Sequence, residues 1–191
     1  VGFLSNETSL ATPRLLSDVH YIKKAFEPFA QLKTGSLEEL FKTGISILVL
    51  TDAEILDVSE VSKISVWVEK GGLLLRFAGG RLANLKTEGK AALLPVTLQE
   101  ETRSLGGAMS WSQPATLAPF EESSPFFGLA IPEEIRIRRQ VLARPSIGLG
   151  KKTWAKLVDG TPLVTGKQRE RGWIVLFHIT GNLEWSDLPI S

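Results

Sequence analysis

The stretch WVEKGGLLLRFAGGRLANL, residues 67–85, predicts the end of a helix, a buried strand and a sharp turn in close succession. Its run LLLRF, residues 73–77, is almost continuously apolar, which is typical of a strand that is buried on both faces of a parallel sheet. A second glycine pair, Gly79 and Gly80, follows this run. In some α/β enzymes a turn of this kind carries the catalytic nucleophile. Here Ala78 stands at that position, and its methyl group has no reactive atom.

The rest of the amino-terminal half alternates between helical and strand patterns. Helical patterns begin at Thr12, Ser36 and Val58, and Ser36 opens a capping box with Glu39. The segment ISILVL, residues 45–50, repeats the pattern of a buried strand. Such alternation predicts an α/β fold with a mostly parallel sheet.

The carboxyl-terminal half, residues 86–191, is rich in Pro, Gly and Ser and shows no helical period. Two turns, at Asp159-Gly160 and just before Gly172, predict hairpins between apolar strands. No long linker divides the chain. We therefore expect one domain with an α/β half, residues 1–85, and a loop- and β-rich half, residues 86–191.

The composition excludes several classes of function. The chain of 191 residues contains no cysteine, which excludes disulfides, thiolate catalysis and cysteine-ligated zinc. Lys and Arg number 22 and Asp and Glu number 21, so the net charge of +1 predicts no binding to nucleic acid. No apolar run reaches the roughly 18 residues of a transmembrane helix. We expect no metal and no cofactor, and the expected partner is a protein or a small molecule.

Candidate ligand-binding residues follow the predicted strands, because α/β sheets bind ligands beyond the carboxyl ends of their strands. They are Asp52, Arg76, Gly79, Gly80, Arg81 and His178. The glycine pair is interpreted first as a packing turn, in which glycine lets the backbone pass close to its neighbours. A binding role for its backbone amides, together with Arg76 or Arg81, is the alternative.

His178 is the basis of a catalytic alternative. A hydrolase or transferase would need Ser110, or a carboxylate such as Asp159 or Asp187, within hydrogen-bonding distance of the His178 imidazole. The other interpretation of His178 is a core histidine whose ring nitrogens are simply hydrogen-bonded.

Several longer motifs resemble one protein family. WVEKGGLLLRFAGGRLA, LGGAMSWSQPATLAPFEESSPFFGL and IVLFHITGNLEWSDLPIS resemble the central region of large bacterial membrane proteins. Those proteins combine an amino-terminal BatA-type double-transmembrane segment with a class I glutamine amidotransferase-like domain. The resemblance spans Val1 to Ser191 and implies a flavodoxin-like three-layer sandwich, excised from a longer membrane-inserted protein. It also implies a soluble domain on the periplasmic face of the inner membrane.

The resemblance implies the fold without the glutaminase reaction. Glutaminases of that class carry a nucleophilic cysteine on the sharp turn after a strand, called the nucleophile elbow, where this chain has Ala78. They also carry a glutamate two residues after the histidine, where this chain has Thr180. The expected function is therefore a catalytically degenerate domain that acts as an interaction or ligand-sensing module. Two alternatives stay open, the hydrolase or transferase that uses Ser110 or a carboxylate with His178, and a structural spacer or dimerisation domain.

Overall fold

A computed structural model describes residues 1–4, 18–52, 56–84, 90–105 and 114–190. Along these ranges the strands and α-helices follow one another as β1 (Gly2–Leu4), α1 (Asp18–Phe26), β2 (Lys33–Gly35), α2 (Leu37–Lys42), β3 (Ile47–Leu50), α3 (Val58–Glu69), β4 (Leu73–Phe77), α4 (Gly80–Asn84), β5 (Leu98–Ser104), β6 (Arg139–Ala143), α5 (Leu149–Lys152), β7 (Thr153–Lys156), β8 (Pro162–Arg169) and β9 (Gly172–Phe177). Short 3-10 helices cover Lys90–Leu93 and Leu188–Ile190.

Seven of the described strands form one open sheet, in the order β2-β1-β3-β4-β9-β8-β7. β2, β1, β3, β4 and β9 run parallel to one another, whereas β8 and β7 are antiparallel to their neighbours. β5 and β6 form a separate antiparallel pair. The prediction of an α/β chain with a mostly parallel sheet is therefore confirmed.

Helices cover both faces of this sheet. On one face, which we call the helical face, α2 and α3 pack against alternate residues of the strands, among them Leu48, Leu74 and Ile174. On the opposite face, α1 covers β1 and β3 through a cluster that contains Ile22. Successive side chains of a strand point to opposite faces. This opposite face, which we call the second face, therefore also carries Leu73, Leu75, Trp173, Val175 and Phe177. α1 covers only part of that face.

The predicted helix starts are confirmed in part. Ser36 Oγ accepts a hydrogen bond from the Glu39 amide at 3.4 Å, and Glu39 Oε2 accepts one from the Ser36 amide at 2.9 Å. Asp57 and Glu60 make the same reciprocal pair at the start of α3, which the sequence pattern did not single out. Thr12 lies outside the described residues, and within them α1 begins at Asp18.

The carboxyl-terminal half completes the same sheet. The two predicted hairpins are present, since Asp159-Gly160 lies between β7 and β8 and the second turn lies between β8 and β9. β9 lies next to β4, so strands from both halves of the chain share one core. The backbone of Gly172, at the start of β9, lies against the backbone of the last turn of α3. A Cβ atom on Gly172 would lie 2.0 Å from the carbonyl oxygen of Val68.

Candidate functional site

Asp52 follows β3 in the chain, and its carboxylate lies in the turn that follows β4. Its Oδ1 atom accepts hydrogen bonds from the amides of Gly79 at 2.9 Å and Leu82 at 2.7 Å, and its Oδ2 atom accepts one from Arg81 at 3.1 Å. A Cβ atom on Gly79 would lie 2.4 Å from Oδ2, so only glycine lets the carboxylate approach this closely. Asp52 thus caps the first turn of α4 and ties β3 to β4.

The amides of Gly79 and Arg81, which lie in the candidate ligand-binding turn, are therefore engaged within the chain. Asp52, Gly79, Gly80 and Arg81 do lie together at the carboxyl ends of β3 and β4, as expected from the sequence. Ala78 is fully buried, and its amide donates to the carbonyl oxygen of Phe177 at 2.8 Å. The tip of the elbow faces the core, and a ligand-binding role for this turn stays a prediction.

Arg76 lies on the helical face of β4, opposite Leu50 and Leu176 of the neighbouring strands. It is only 4% exposed, and its Nη1 atom donates to the carbonyl oxygen of Leu93 at 3.4 Å. The guanidinium group is therefore held inside the domain. It contacts the 3-10 helix Lys90–Leu93, and it does not line the outer edge of the sheet.

His178 is completely buried, and both of its ring nitrogens have hydrogen-bond partners. Nδ1 lies 2.8 Å from the carbonyl oxygen of Val141, and Nε2 lies 3.0 Å from the hydroxyl oxygen of Thr165. Because a carbonyl oxygen only accepts, Nδ1 carries the proton and Nε2 accepts from the Thr165 hydroxyl. Desolvation by burial lowers the pKa of His178 to about 4, against the opposing effect of the Val141 hydrogen bond. The imidazole is neutral at neutral pH.

The carboxylates considered for a catalytic group with His178 have other partners. Asp159 Oδ2 accepts from Arg103 Nη1 at 2.6 Å, and Asp187 Oδ1 accepts from Arg138 Nη2 at 2.6 Å. Ser110 lies outside the described residues. The hydroxyl that donates to Nε2 belongs to Thr165, and both side chains are fully buried, so His178 is not placed in an accessible cleft and its geometry does not favour the hydrolase or transferase alternative. Within the ranges that the structure describes, no group of three or more His, Asp or Glu is placed to hold a metal ion.

The second face of the sheet carries a groove that the sequence interpretation missed. It has a volume of about 820 Å³. It is lined by Leu73, Leu75, Ser123, Pro125, Phe126, Lys151, Lys152, Trp154, Gly166, Lys167, Gln168, Trp173, Val175 and Phe177. Apolar side chains of β4 and β9 form its floor, and aromatic rings from β7 and from the loop before β6 stand around it. The domain therefore has a preformed concave surface away from the strand ends.

The aromatic rings of the groove are fixed by their neighbours. The Trp154 ring lies flat over Gly166, where a Cβ atom would be 2.2 Å from Cζ2. The Trp154 and Trp173 ring centroids are 5.3 Å apart with a tilt of 56°, and Phe126 meets Trp154 edge to face at 6.3 Å. Ser124 Oγ donates to the carbonyl oxygen of Trp154 at 2.6 Å and holds the Phe126 loop against β7. Trp173 is nevertheless 36% exposed, which leaves ring surface open to a ligand.

The sequence contained one signal for this groove. From the sequence alone, Trp154, Trp173 and Phe126 are expected to build a minor core, because tryptophan and phenylalanine usually pack inside. The alternation of Trp173, Val175 and Phe177 indicates a shared face. Whether a helix covers that face depends on the strand order, which the sequence pattern does not contain.

Removing the Asp52 carboxylate is expected to destabilise the domain. In Asp52→Ala three backbone amides lose a charged acceptor, so we expect the free energy of unfolding to fall by about 2–4 kcal/mol. Asp57→Ala is the matched control, because Asp57 caps α3 by accepting from the Glu60 amide alone, and about 1 kcal/mol is expected there. Urea unfolding followed by circular dichroism measures both. Equal losses in the two variants would contradict the threefold role of Asp52.

Neither a family model nor a curated protein matches this sequence. Among solved structures, a cold-adapted β-galactosidase from Rahnella sp. R3 has a TM-score of 0.67 and 16% identity, covering 93% of this chain and 28% of that chain. A β-galactosidase from Bacillus circulans sp. alkalophilus has a TM-score of 0.63 and 13% identity, covering 94% and 28%. A cytoplasmic protein from Salmonella typhimurium has a TM-score of 0.62 and 15% identity, covering 86% and 76%. This chain spans about 28% of the length of those β-galactosidases.

These similarities overturn the resemblance drawn from the sequence motifs. The similar structures include β-galactosidases and not class I glutamine amidotransferases, so the assignment to an amidotransferase-like domain of membrane proteins is wrong. Buried strands and glycine turns recur across α/β folds, which explains why such motifs misled. The comparisons give no support to a membrane-anchored parent protein or to a periplasmic location. In the described parts of the chain, no helix is both long and apolar enough to cross a membrane. Identities this low show the fold alone.

Proposed function

We propose that this chain is a non-catalytic ligand-binding module and that its ligand is a saccharide held in the groove. The observation that carries the proposal is the groove itself, whose volume of about 820 Å³ lies within the range of known small-molecule sites, roughly 300–1,000 Å³. Such sites are mostly apolar and aromatic, with a few polar groups that orient the ligand. This groove has the same composition.

The chemistry of the lining favours a saccharide over a purely apolar ligand. One side of a pyranose ring presents C–H groups, which pack on an aromatic face, while its hydroxyl groups point outward to polar side chains. The exposed part of Trp173 supplies such a face, and Trp154 stands beside it at a tilt of 56°. Ser123 and Gln168 supply hydroxyl and amide groups at the rim. Two of the similar structures are named as β-galactosidases, and a galactoside is a saccharide, which further supports the proposed ligand class.

The residues of the groove favour binding without catalysis. Glycoside hydrolysis ordinarily requires a pair of carboxyl groups on either side of the scissile bond. The described residues that line the groove include no Asp and no Glu. The elbow that would hold a nucleophile carries the buried Ala78, and the His178 ring is enclosed. The spacer or dimerisation role, an alternative that the sequence left open, stays a prediction, which light scattering on the purified chain would test.

We further propose that the sheet is of the flavodoxin-like type. The parallel strands follow the order β2-β1-β3-β4-β9, and β9 is the fifth parallel strand along the chain. Flavodoxin-like domains have the order 2-1-3-4-5. Helices on both faces are a second support for this proposal.

A titration of the purified chain tests the binding proposal. Isothermal titration calorimetry with neutral and acidic disaccharides is expected to detect saturable binding of at least one, and Trp173→Ala is expected to weaken it about tenfold or more, the equivalent of roughly 1.4 kcal/mol. The control is Trp67→Ala, which removes a tryptophan that stacks on Phe41 on the helical face, away from the groove. The absence of binding to every saccharide, or equal weakening in the two variants, would overturn the proposal.

A further inference from the structure

The charged side chains described in the groove lining all have the same sign. Among the residues that the structure describes, the lining contains three lysines and no acidic residue. The whole chain is balanced, with 22 basic and 21 acidic residues, so the excess is local to the groove. A groove that carries only positive charges attracts an anion and disfavours a cation.

Two of these lysines, Lys151 and Lys152, stand together in α5 directly before β7. Thr153 Oγ1 donates to the carbonyl oxygen of Leu149 at 2.9 Å and holds this short helix to the strand that carries Trp154. Lys151 is exposed and Lys152 is half-buried. Among the described residues neither lysine forms an ion pair. Both ammonium groups are therefore available to a ligand in the groove.

Nearby acidic groups are directed to other partners. On the loop before β6, Glu121 pairs with Lys156 of β7. At the far end of β8, Arg169 pairs with Glu69 at 3.3 Å. Glu122 is exposed and does not line the groove. No described carboxylate thus neutralises the Lys151 and Lys152 side of the groove.

We infer that the groove selects a saccharide that carries a carboxylate, such as a uronic acid, over the neutral and amino sugars of the same shape. The inference rests on the proposed function, because the sugar ring is placed on Trp154 and Trp173 and its carboxylate at Lys151 and Lys152. A lysine ammonium donates charge-assisted hydrogen bonds to a carboxylate, and these are stronger than the bonds it donates to a neutral hydroxyl group. An amino sugar brings a third positive charge to the same place and is repelled.

Three disaccharides of one linkage test the inference. Isothermal titration calorimetry compares α-1,4-linked digalacturonate, galactobiose and digalactosamine, first at low salt and then in 0.5 M sodium chloride, about ten times the low-salt value. We expect digalacturonate to bind about tenfold more tightly than galactobiose, and digalactosamine to bind most weakly. The difference between digalacturonate and galactobiose is expected to shrink at high salt, because exposed charges are screened.

A charge-matched pair of variants separates the local effect from net charge. Lys151→Gln with Lys152→Gln is expected to remove the tenfold preference, because the affinity for digalacturonate falls by more than the affinity for galactobiose does. The control is Lys42→Gln with Lys70→Gln, which removes the same charge from two exposed lysines at the ends of α2 and α3. This control is expected to keep the preference.

The outcomes distinguish the two proposals. If none of the three disaccharides binds, both the saccharide-binding function and the charge selectivity are wrong. If galactobiose and digalacturonate bind equally, only the selectivity is wrong. A preference for digalacturonate that survives Lys151→Gln with Lys152→Gln would also overturn the assignment of the carboxylate to this side of the groove.

Discussion

Gly172→Ala is expected to lower the free energy of unfolding by about 3 kcal/mol or more, the upper end of what overpacking a core costs. The new Cβ atom would lie 2.0 Å from the carbonyl oxygen of Val68 and 2.4 Å from that of Gly72. Both atoms belong to the backbone, so no side-chain rotation relieves the clash. The amide of Trp173 also donates to Gly72 at 3.1 Å, and moving the strand away would break this bond.

Gly150→Ala is the matched control for this substitution. A Cβ atom on Gly150 meets no atom within 4 Å, so we expect a change of less than about 0.5 kcal/mol. Urea unfolding of both variants, followed by circular dichroism, gives the comparison. A Gly172→Ala variant as stable as Gly150→Ala would mean that α3 and β9 are not in contact as described.

The contrast between the two glycines shows where sequence reasoning stops. The sequence predicts the end of a helix and the start of a buried strand within residues 67–85, and the structure places this junction of α3 and β4 at Gly71 and Gly72. Gly172 looks like an ordinary turn residue in the sequence. Its requirement for glycine comes from Val68, on a helix that is distant along the chain. Local patterns predict elements, whereas close approaches between elements need the strand order, here the insertion of β9 between β4 and β8.

The same limit applies to the candidate site. The sequence predicts that Asp52 and Gly79 lie at the same edge of the sheet, because each follows a predicted parallel strand. It does not reveal that the Asp52 carboxylate is itself the acceptor for the amides of the turn. The groove was missed for a related reason. Trp154, Trp173 and Phe126 come from three separate segments, and only the antiparallel addition of β8 and β7 brings them together.

His178 is expected to make the stability of the protein depend on pH between about 6.5 and 4. In the unfolded chain its pKa is near 6.5, and burial lowers the folded pKa to about 4. The unfolded state therefore binds more protons in this interval, so the free energy of unfolding is at its full value above pH 6.5 and falls as the pH drops. The gap between the two pKa values corresponds to roughly 3 kcal/mol by pH 4.

His178→Gln isolates this contribution. A glutamine can donate to the Val141 carbonyl oxygen and accept from the Thr165 hydroxyl, and it does not titrate, so a cost of about 1–2 kcal/mol is expected at pH 7. Carboxyl groups such as Asp159 titrate in both proteins and cancel in the difference between them. His20→Gln, at a half-buried position outside this core, is the matched control substitution.

The stability curves of wild type and His178→Gln are expected to cross. The wild type is the more stable protein at pH 7, but it loses roughly 3 kcal/mol on the way to pH 4 that the variant does not lose, so the variant is the more stable protein at pH 4. Urea unfolding at pH values from 7 to 4 measures the difference. A difference that stays constant over this range would mean that His178 does not titrate between its folded and unfolded values, and that the ring is not enclosed by Val141 and Thr165. A crossing instead identifies His178 as a buried structural residue, which agrees with the proposal that the ligand binds in the groove and that this histidine has no catalytic role.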